Sequence, residues 1–362
     1  MEFATDYKSI LQRIDQIDPV QYGKSRNFID GAVTYLSPYI SRGVISTSQV
    51  LKSVLEKGYK VSAIESFAKE LCWRDYFQRV GQVKDLNQDI KPVQQPVLNH
   101  EIPVQILNAT TGIEGIDNAI KHLYHTGYMH NHCRMYTASL VCNMAKSHWY
   151  HPAQWMYYYL LDGDWASNAC SWQWVAGANS NKKYYANQEN INKYTHTNEV
   201  NTFLYASYEE IDTIETPAQL LITKRFIPTN ELPVVEKVQV DPTLPTFIYN
   251  YYNLDPLWHM HESGNRILLL EPGFFSLYPV SKSCMDFMLA LSKNINGIQV
   301  YIGSVKSFSD KYNVENIYYK EHPLNIGYTV TKESREWIAD KVTGYYPSFF
   351  SYWKKVEKQL DK

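Results

Sequence analysis

The chain has 362 residues, of which 44% are hydrophobic, and 35 Lys and Arg against 37 Asp and Glu give a net charge of −2. That excludes a globally disordered chain and the strongly basic kind of nucleic-acid binder, so any DNA contact must come from a local patch. No apolar run approaches the ~20 residues of a membrane span, and the first residues lack a secretion signal, so a soluble, cytoplasmic chain of about two domains with no membrane partner is expected.

Residues 1–205 read as mostly helical. Apolar residues at Ile64, Phe67, Ala68, Leu71 and Phe77 make a helical stripe within 62–80. A second stripe, 116–125, stops at Gly127; a third covers 130–147; a fourth runs from Pro152 to about Leu161. Gly163 and the polar residues after it interrupt the pattern. Five prolines between 206 and 245 (Pro217, Pro228, Pro233, Pro242 and Pro245) mark a linker or wrapping segment. From 246 to 362 the period changes. Short apolar runs at 246–252, 266–270, 299–302 and 316–319 read as strands, with a helix over 281–294. That alternation predicts a small α/β, Rossmann-like domain with a largely parallel sheet.

Thirty Tyr and nine Trp stand out in the composition. On a helix, Glu70, Trp73, Arg74 and Phe77 share one face, which is not an ordinary core stripe. Asn131, Arg134 and Met135 share another face just after Gly127. Asp162 and Asp164 flank Gly163 in a turn with two carboxylates and backbone donors, suited to a polar heterocycle. Five cysteines without a C-x-x-C pair argue for reduced core thiols, and the histidines near 122–132 lack acidic or thiolate partners at ligand spacing, so no metal site is expected.

Taken together, these segments resemble the flavin-binding catalytic domain of the photolyase and cryptochrome family over roughly residues 20–195. The resemblance implies a mainly α N-terminal domain holding FAD, followed by the small α/β domain. It places Tyr22, Thr34, Tyr35, Leu36 and Ser37 on the FAD phosphates and counts Arg74 among the cofactor-binding residues. Asp162, Gly163 and Asp164 fall on the flavin and adenosine polar groups, Arg134 on Asp162, and Asn168 opposite flavin N5. Trp172 and Trp149 match an electron relay. Glu70, Asn131, Met135, Trp73 and Trp174 match the residues that hold a cyclobutane pyrimidine dimer, whereas the branch repairing (6-4) lesions has histidines where Asn131 and Met135 stand. The resemblance therefore implies a light-driven DNA repair lyase acting on damaged DNA, with single strands as a candidate form; a cryptochrome-like blue-light photoreceptor or a DNA-binding flavoprotein without repair activity is the alternative.

The chain departs from that pattern in three ways. No Trp lies between residues 74 and 148, where the relay's surface member would stand, and one of Trp155, Tyr157, Tyr158 and Tyr159 is the expected substitute. Tyr35 replaces the arginine common in the FAD loop, and Asn168-Ala169-Cys170-Ser171 replaces Asn-Asn-Gly-Gly, which points to a short photolyase-like branch. Lys24, Arg26, Arg42, Arg79, Lys182 and Lys183 are the cations expected to meet DNA.

Overall fold

The computed structural model describes residues 2–360. Its helices are α1 (Tyr7–Asp15), α2 (Pro19–Ser25), α3 (Ser37–Ser41), α4 (Thr47–Glu56), α5 (Glu65–Gly81), α6 (Val104–Asn108), α7 (Glu114–Thr126), α8 (Asn131–Ser139), α9 (Tyr150–Tyr159), α10 (Trp165–Ala176), α11 (Gln188–Thr195), α12 (Pro272–Leu277), α13 (Lys282–Ser292), α14 (Val305–Tyr312) and α15 (Phe349–Leu360). The strands are β1 (Ile102–Pro103), β2 (Thr223–Lys224), β3 (Thr246–Tyr249), β4 (Asn265–Leu270), β5 (Ile298–Ile302), β6 (Ile317–Lys320) and β7 (Thr331–Glu333).

The chain packs into two compact units that are interleaved in sequence. One comprises Gln21–Val33 and Lys84–Pro228; the other comprises Glu2–Val20, Thr34–Val83 and the chain from Thr229 onward. These units cut across the expected linear division into 1–205, 206–245 and 246–362: α4 and α5 group with the C-terminal half. A buried carboxylate shows why. Asp75 on α5 accepts from Thr47 Oγ1 at 2.8 Å and from the Ile338 backbone N at 2.9 Å, a link across 263 positions. Removing either partner would cost the buried carboxylate a hydrogen bond, and Arg335 of the C-terminal segment lies 3.5 Å from the same group, so α4, α5 and the C-terminal segment stay together.

In the first unit the helices end where the chain chemistry says they must. α7 buries Ile116, Ile120 and Leu123 and stops at Gly127, whose φ of +70° suits glycine. A Cβ there would come within 2.6 Å of Leu161 Cγ, so the close approach also requires glycine. α8 runs on into a π-helical turn, Leu140–Met144. The interruption expected after Gly163 proves short. Asp164 caps α10 by accepting from Ser167 N, and Gly177 closes the helix in the left-handed region. α10 is buried on nearly every side and so has no amphipathic stripe to read.

The second unit carries a five-stranded sheet in the order β5-β4-β3-β6-β7, parallel throughout. β3 is fully buried, as a central parallel strand covered on both faces should be. Ile248, Ile267, Leu269 and Ile317 meet Val305 and Phe308 of α14 in one core. The edge strand β7 lacks a counterpart in the sequence reading because Thr331, Lys332 and Glu333 form no apolar run. The expected first strand, 246–252, ends at Tyr249, where Asn250 turns the chain.

Candidate functional site

The predicted site residues fall on both units. Tyr22, Asn131, Arg134, Met135, Trp149, Asp162, Gly163, Asp164, Asn168, Trp172 and Trp174 lie in the first; Thr34, Tyr35, Leu36, Ser37, Glu70, Trp73 and Arg74 lie in the second.

In the first unit, the start of α8 and the turn before α10 are joined by one ion pair. Arg134 donates to Asp162 Oδ2 at 2.8 Å, and its Nε donates to the Met129 carbonyl at 2.8 Å. The turn itself is fixed by backbone bonds, Leu161 N to Gly127 O at 2.8 Å and Gly163 N to Leu160 O at 2.9 Å. One helical turn apart on α8, Asn131 Nδ2 lies 4.0 Å from Met135 Sδ, so the amide and thioether act as one surface. Asn168 donates to the Ala153 carbonyl at 2.8 Å, which fixes its amide. The two tryptophans of α10 differ. Trp172 is 2% exposed and its Nε1 has no hydrogen-bond partner among the described residues, whereas Trp174 is 39% exposed and tilts against Tyr184. Tyr22 is half-buried on α2.

Burial sets the charge state around Asn131. His130 and His132 are both pushed down to about 4, chiefly by desolvation, with the Arg134 charge adding to the shift at His130. Both imidazoles are neutral at pH 7. Burial also pushes the Cys133 thiol up to about 12, which makes it inert.

In the second unit, Leu36 precedes α3, and Tyr35 sits at φ +53°, a left-handed position that costs a non-glycine residue about 1–3 kcal/mol. Arg74 donates to Ser41 Oγ at 2.7 Å, tying α5 to the end of α3. Glu70 is half-buried one turn before it. Trp73 stacks on Phe349 of α15, with ring centroids 3.8 Å apart. Two of the expected DNA cations need correction. Arg42 is buried with its guanidinium 3.5 Å from the Tyr251 ring centroid, and Arg79 is buried 3.5 Å from that of Trp337. Both stack on aromatic faces as internal cations. Lys24 and Lys182 are exposed.

The donor set in the first unit suits a flavin dinucleotide. A guanidinium, two carboxylates, a fixed amide and a buried indole N–H without a partner are the groups that a ring of alternating donors and acceptors requires. Three contributors were not singled out by sequence. Trp165 lies 6.4 Å from Trp149, Asp89 accepts from Trp149 Nε1 at 2.6 Å, and Phe349 covers Trp73. Only the Trp count in this region hinted at the first; the other two are long-range contacts without a local signal.

A family model described as the FAD binding domain of DNA photolyase matches residues 67–205. A deoxyribodipyrimidine photo-lyase from Streptomyces griseus is 30% identical over 155 residues, 42% of this chain and 34% of that one. A putative mitochondrial cryptochrome DASH from Neurospora crassa is 28% identical over 209 residues, 45% of this chain and 28% of that one. The solved Synechocystis sp. PCC6803 cryptochrome is 23% identical with a TM-score of 0.48, covering 54% of this chain and 44% of that one. The chain thus spans less than half the length of these relatives.

Proposed function

We propose that the chain, which matches a model of the photolyase FAD binding domain over residues 67–205, is a light-driven lyase of the photolyase and cryptochrome family that splits cyclobutane pyrimidine dimers in DNA. The observation that carries this reading is the Asn131–Met135 pair beside the Arg134–Asp162 bridge, an amide and a soft thioether presented together from one rigid helix start. Bound FAD in its reduced form supplies the light-driven electron, and the chain's residues do the rest.

Asp162, held by Arg134, Asp164 and Asn168 bind the polar edge of the cofactor. A hydrogen bond from a protonated Glu70 to a dimer carbonyl would stabilise negative charge that appears only after electron transfer. Neutral His130 and His132 add no charge of their own beside Asn131. Trp174 is exposed enough to stack on a base, a contact worth about 1–3 kcal/mol. A dimer is cheaper to extrude than sound bases because it stacks poorly. The modest net charge favours single-stranded or already distorted DNA.

The alternative reading is a blue-light photoreceptor without repair. The Trp73–Phe349 stack favours it, because the indole expected to meet a base already has an internal partner. Blue-light and dark incubation of the chemically reduced holoprotein with a dimer-containing oligonucleotide decides between them. Light-dependent repair that disappears in Glu70→Ala and Asn131→Ala supports the lyase; absence of turnover with FAD bound supports the photoreceptor.

A further inference from the structure

Trp149 is fully buried, and its indole N–H does not meet a neutral acceptor. It donates to Asp89 Oδ1 at 2.6 Å, a short, charge-assisted bond. Asp89 is held in place from its other oxygen, which accepts from Gln94 N at 2.9 Å. Gln94 in turn receives Trp149 N on its Oε1 at 2.9 Å and donates to the Ser147 carbonyl at 2.9 Å. The carboxylate and the indole are thus clamped by a common set of contacts. The other group facing the carboxylate is His148, whose Nε2 is 3.8 Å from the same oxygen; burial pushes its pKa down, so it competes little for the charge near pH 7.

This geometry matters because no tryptophan lies between residues 74 and 148, where the relay's surface member would stand. A relay that ends on a buried indole has no water to take its proton, and the oxidised ring would recover its electron. We propose that Asp89 is the proton acceptor that traps the hole on Trp149, so the relay ends there. This rests on the family reading proposed above and on the electron relay through Trp172 and Trp149 that the resemblance implies. In the step, one electron leaves Trp149 inward toward Trp172, drawn by the light-excited oxidised flavin. The Nε1–H bond breaks, an O–H bond forms on Asp89, and a neutral tryptophan radical remains. An oxidised indole is a far stronger acid than indole itself, and the 2.6 Å bond leaves the proton almost no distance to travel. Asp89 touches the reacting Nε1–H directly and acts as the proton acceptor of the electron route.

Flash photolysis of the FAD-loaded protein tests this. The wild type should show the deprotonated tryptophan radical, whereas Asp89→Asn, which keeps shape and hydrogen bond but loses the charge, should show the protonated radical cation. Deprotonation in the variant should slow by about 100-fold or more, with a matching fall in photoreduction yield. Trp149→Phe should abolish the long-lived radical in either background. A neutral radical that forms equally fast in Asp89→Asn overturns this inference while leaving the lyase reading intact. A protein with bound FAD and no light-induced tryptophan radical overturns the inference and the relay it extends, and repair by chemically reduced protein then judges the lyase reading by itself.

Discussion

The indole of Trp73 lies flat on the ring of Phe349, 3.8 Å between centroids and 11° between planes, so α15 leans on the helix that carries Glu70. Tyr76 joins the same cluster, 5.9 Å from Phe349 and 5.8 Å from Tyr352. Trp73 is therefore a packing plank of its own unit. Truncation in Trp73→Ala should cost about 2–3 kcal/mol of stability by urea unfolding, since a half-buried aromatic loses part of a full core penalty. Trp73→Phe retains a stacking ring and should cost less than about 1 kcal/mol. If that conservative variant still loses affinity for dimer-containing DNA, the ring also meets a base; unchanged affinity assigns it to the fold alone.

The Arg134–Asp162 bridge invites a different measurement. Asp162's side chain is 4% exposed against 21% for Arg134, so losing the guanidinium strands a carboxylate in the interior. Arg134→Met should destabilise the protein by about 2–3 kcal/mol, the partial exposure of the arginine taking it below a fully buried pair. The double variant Arg134→Met, Asp162→Asn should recover much of that stability and none of the FAD retention. Flavin absorbance after gel filtration reads the second effect, and thermal melting reads the first.

Acid sensitivity follows from His130. Its folded pKa of about 4 lies below the ordinary 6.5, so on acidification the unfolded chain takes up a proton first. The stabilisation is complete above pH 6.5 and is lost as pH falls through that value toward 4. At pH 5 this amounts to about 2 kcal/mol relative to pH 7 for this group. His130→Gln should flatten the fall in unfolding free energy between pH 7 and pH 5. An identical slope in the two proteins would show that burial at this site is relieved before the ring titrates.

Much of the α/β sheet could be read in advance because parallel strands covered on both faces appear as unbroken apolar runs, as at Ile248 and at Ile267 to Leu270. α7 was equally legible from its stripe and its glycine stop. α10 was not, since a helix buried on all sides, with Asn168, Cys170 and Gln173 facing inward, has no period that polarity can report. The interleaving of the units depends on Asp75 meeting Ile338, a pairing without any local trace. Among the site residues, the Arg134–Asp162 partnership was anticipated and found. What a side chain will find at the end of its reach, Phe349 for Trp73 or Tyr251 for Arg42, is decided by distant chain.

Trp172 offers the cleanest separation of photoreduction from repair. Its indole is buried, and its N–H has no partner among the described residues, so Trp172→Phe removes an oxidisable ring while deleting no hydrogen bond within the protein. The stability cost should be about 1 kcal/mol, because the smaller ring leaves only a modest cavity. Light-driven reduction of bound FAD should then slow sharply, as read by bleaching of the oxidised flavin band. Repair by protein reduced beforehand with dithionite should be unchanged, since that route bypasses the relay. Loss of both activities in a folded, FAD-retaining variant would instead place Trp172 at the lesion or in the flavin's support, and would reverse the order of roles along α10.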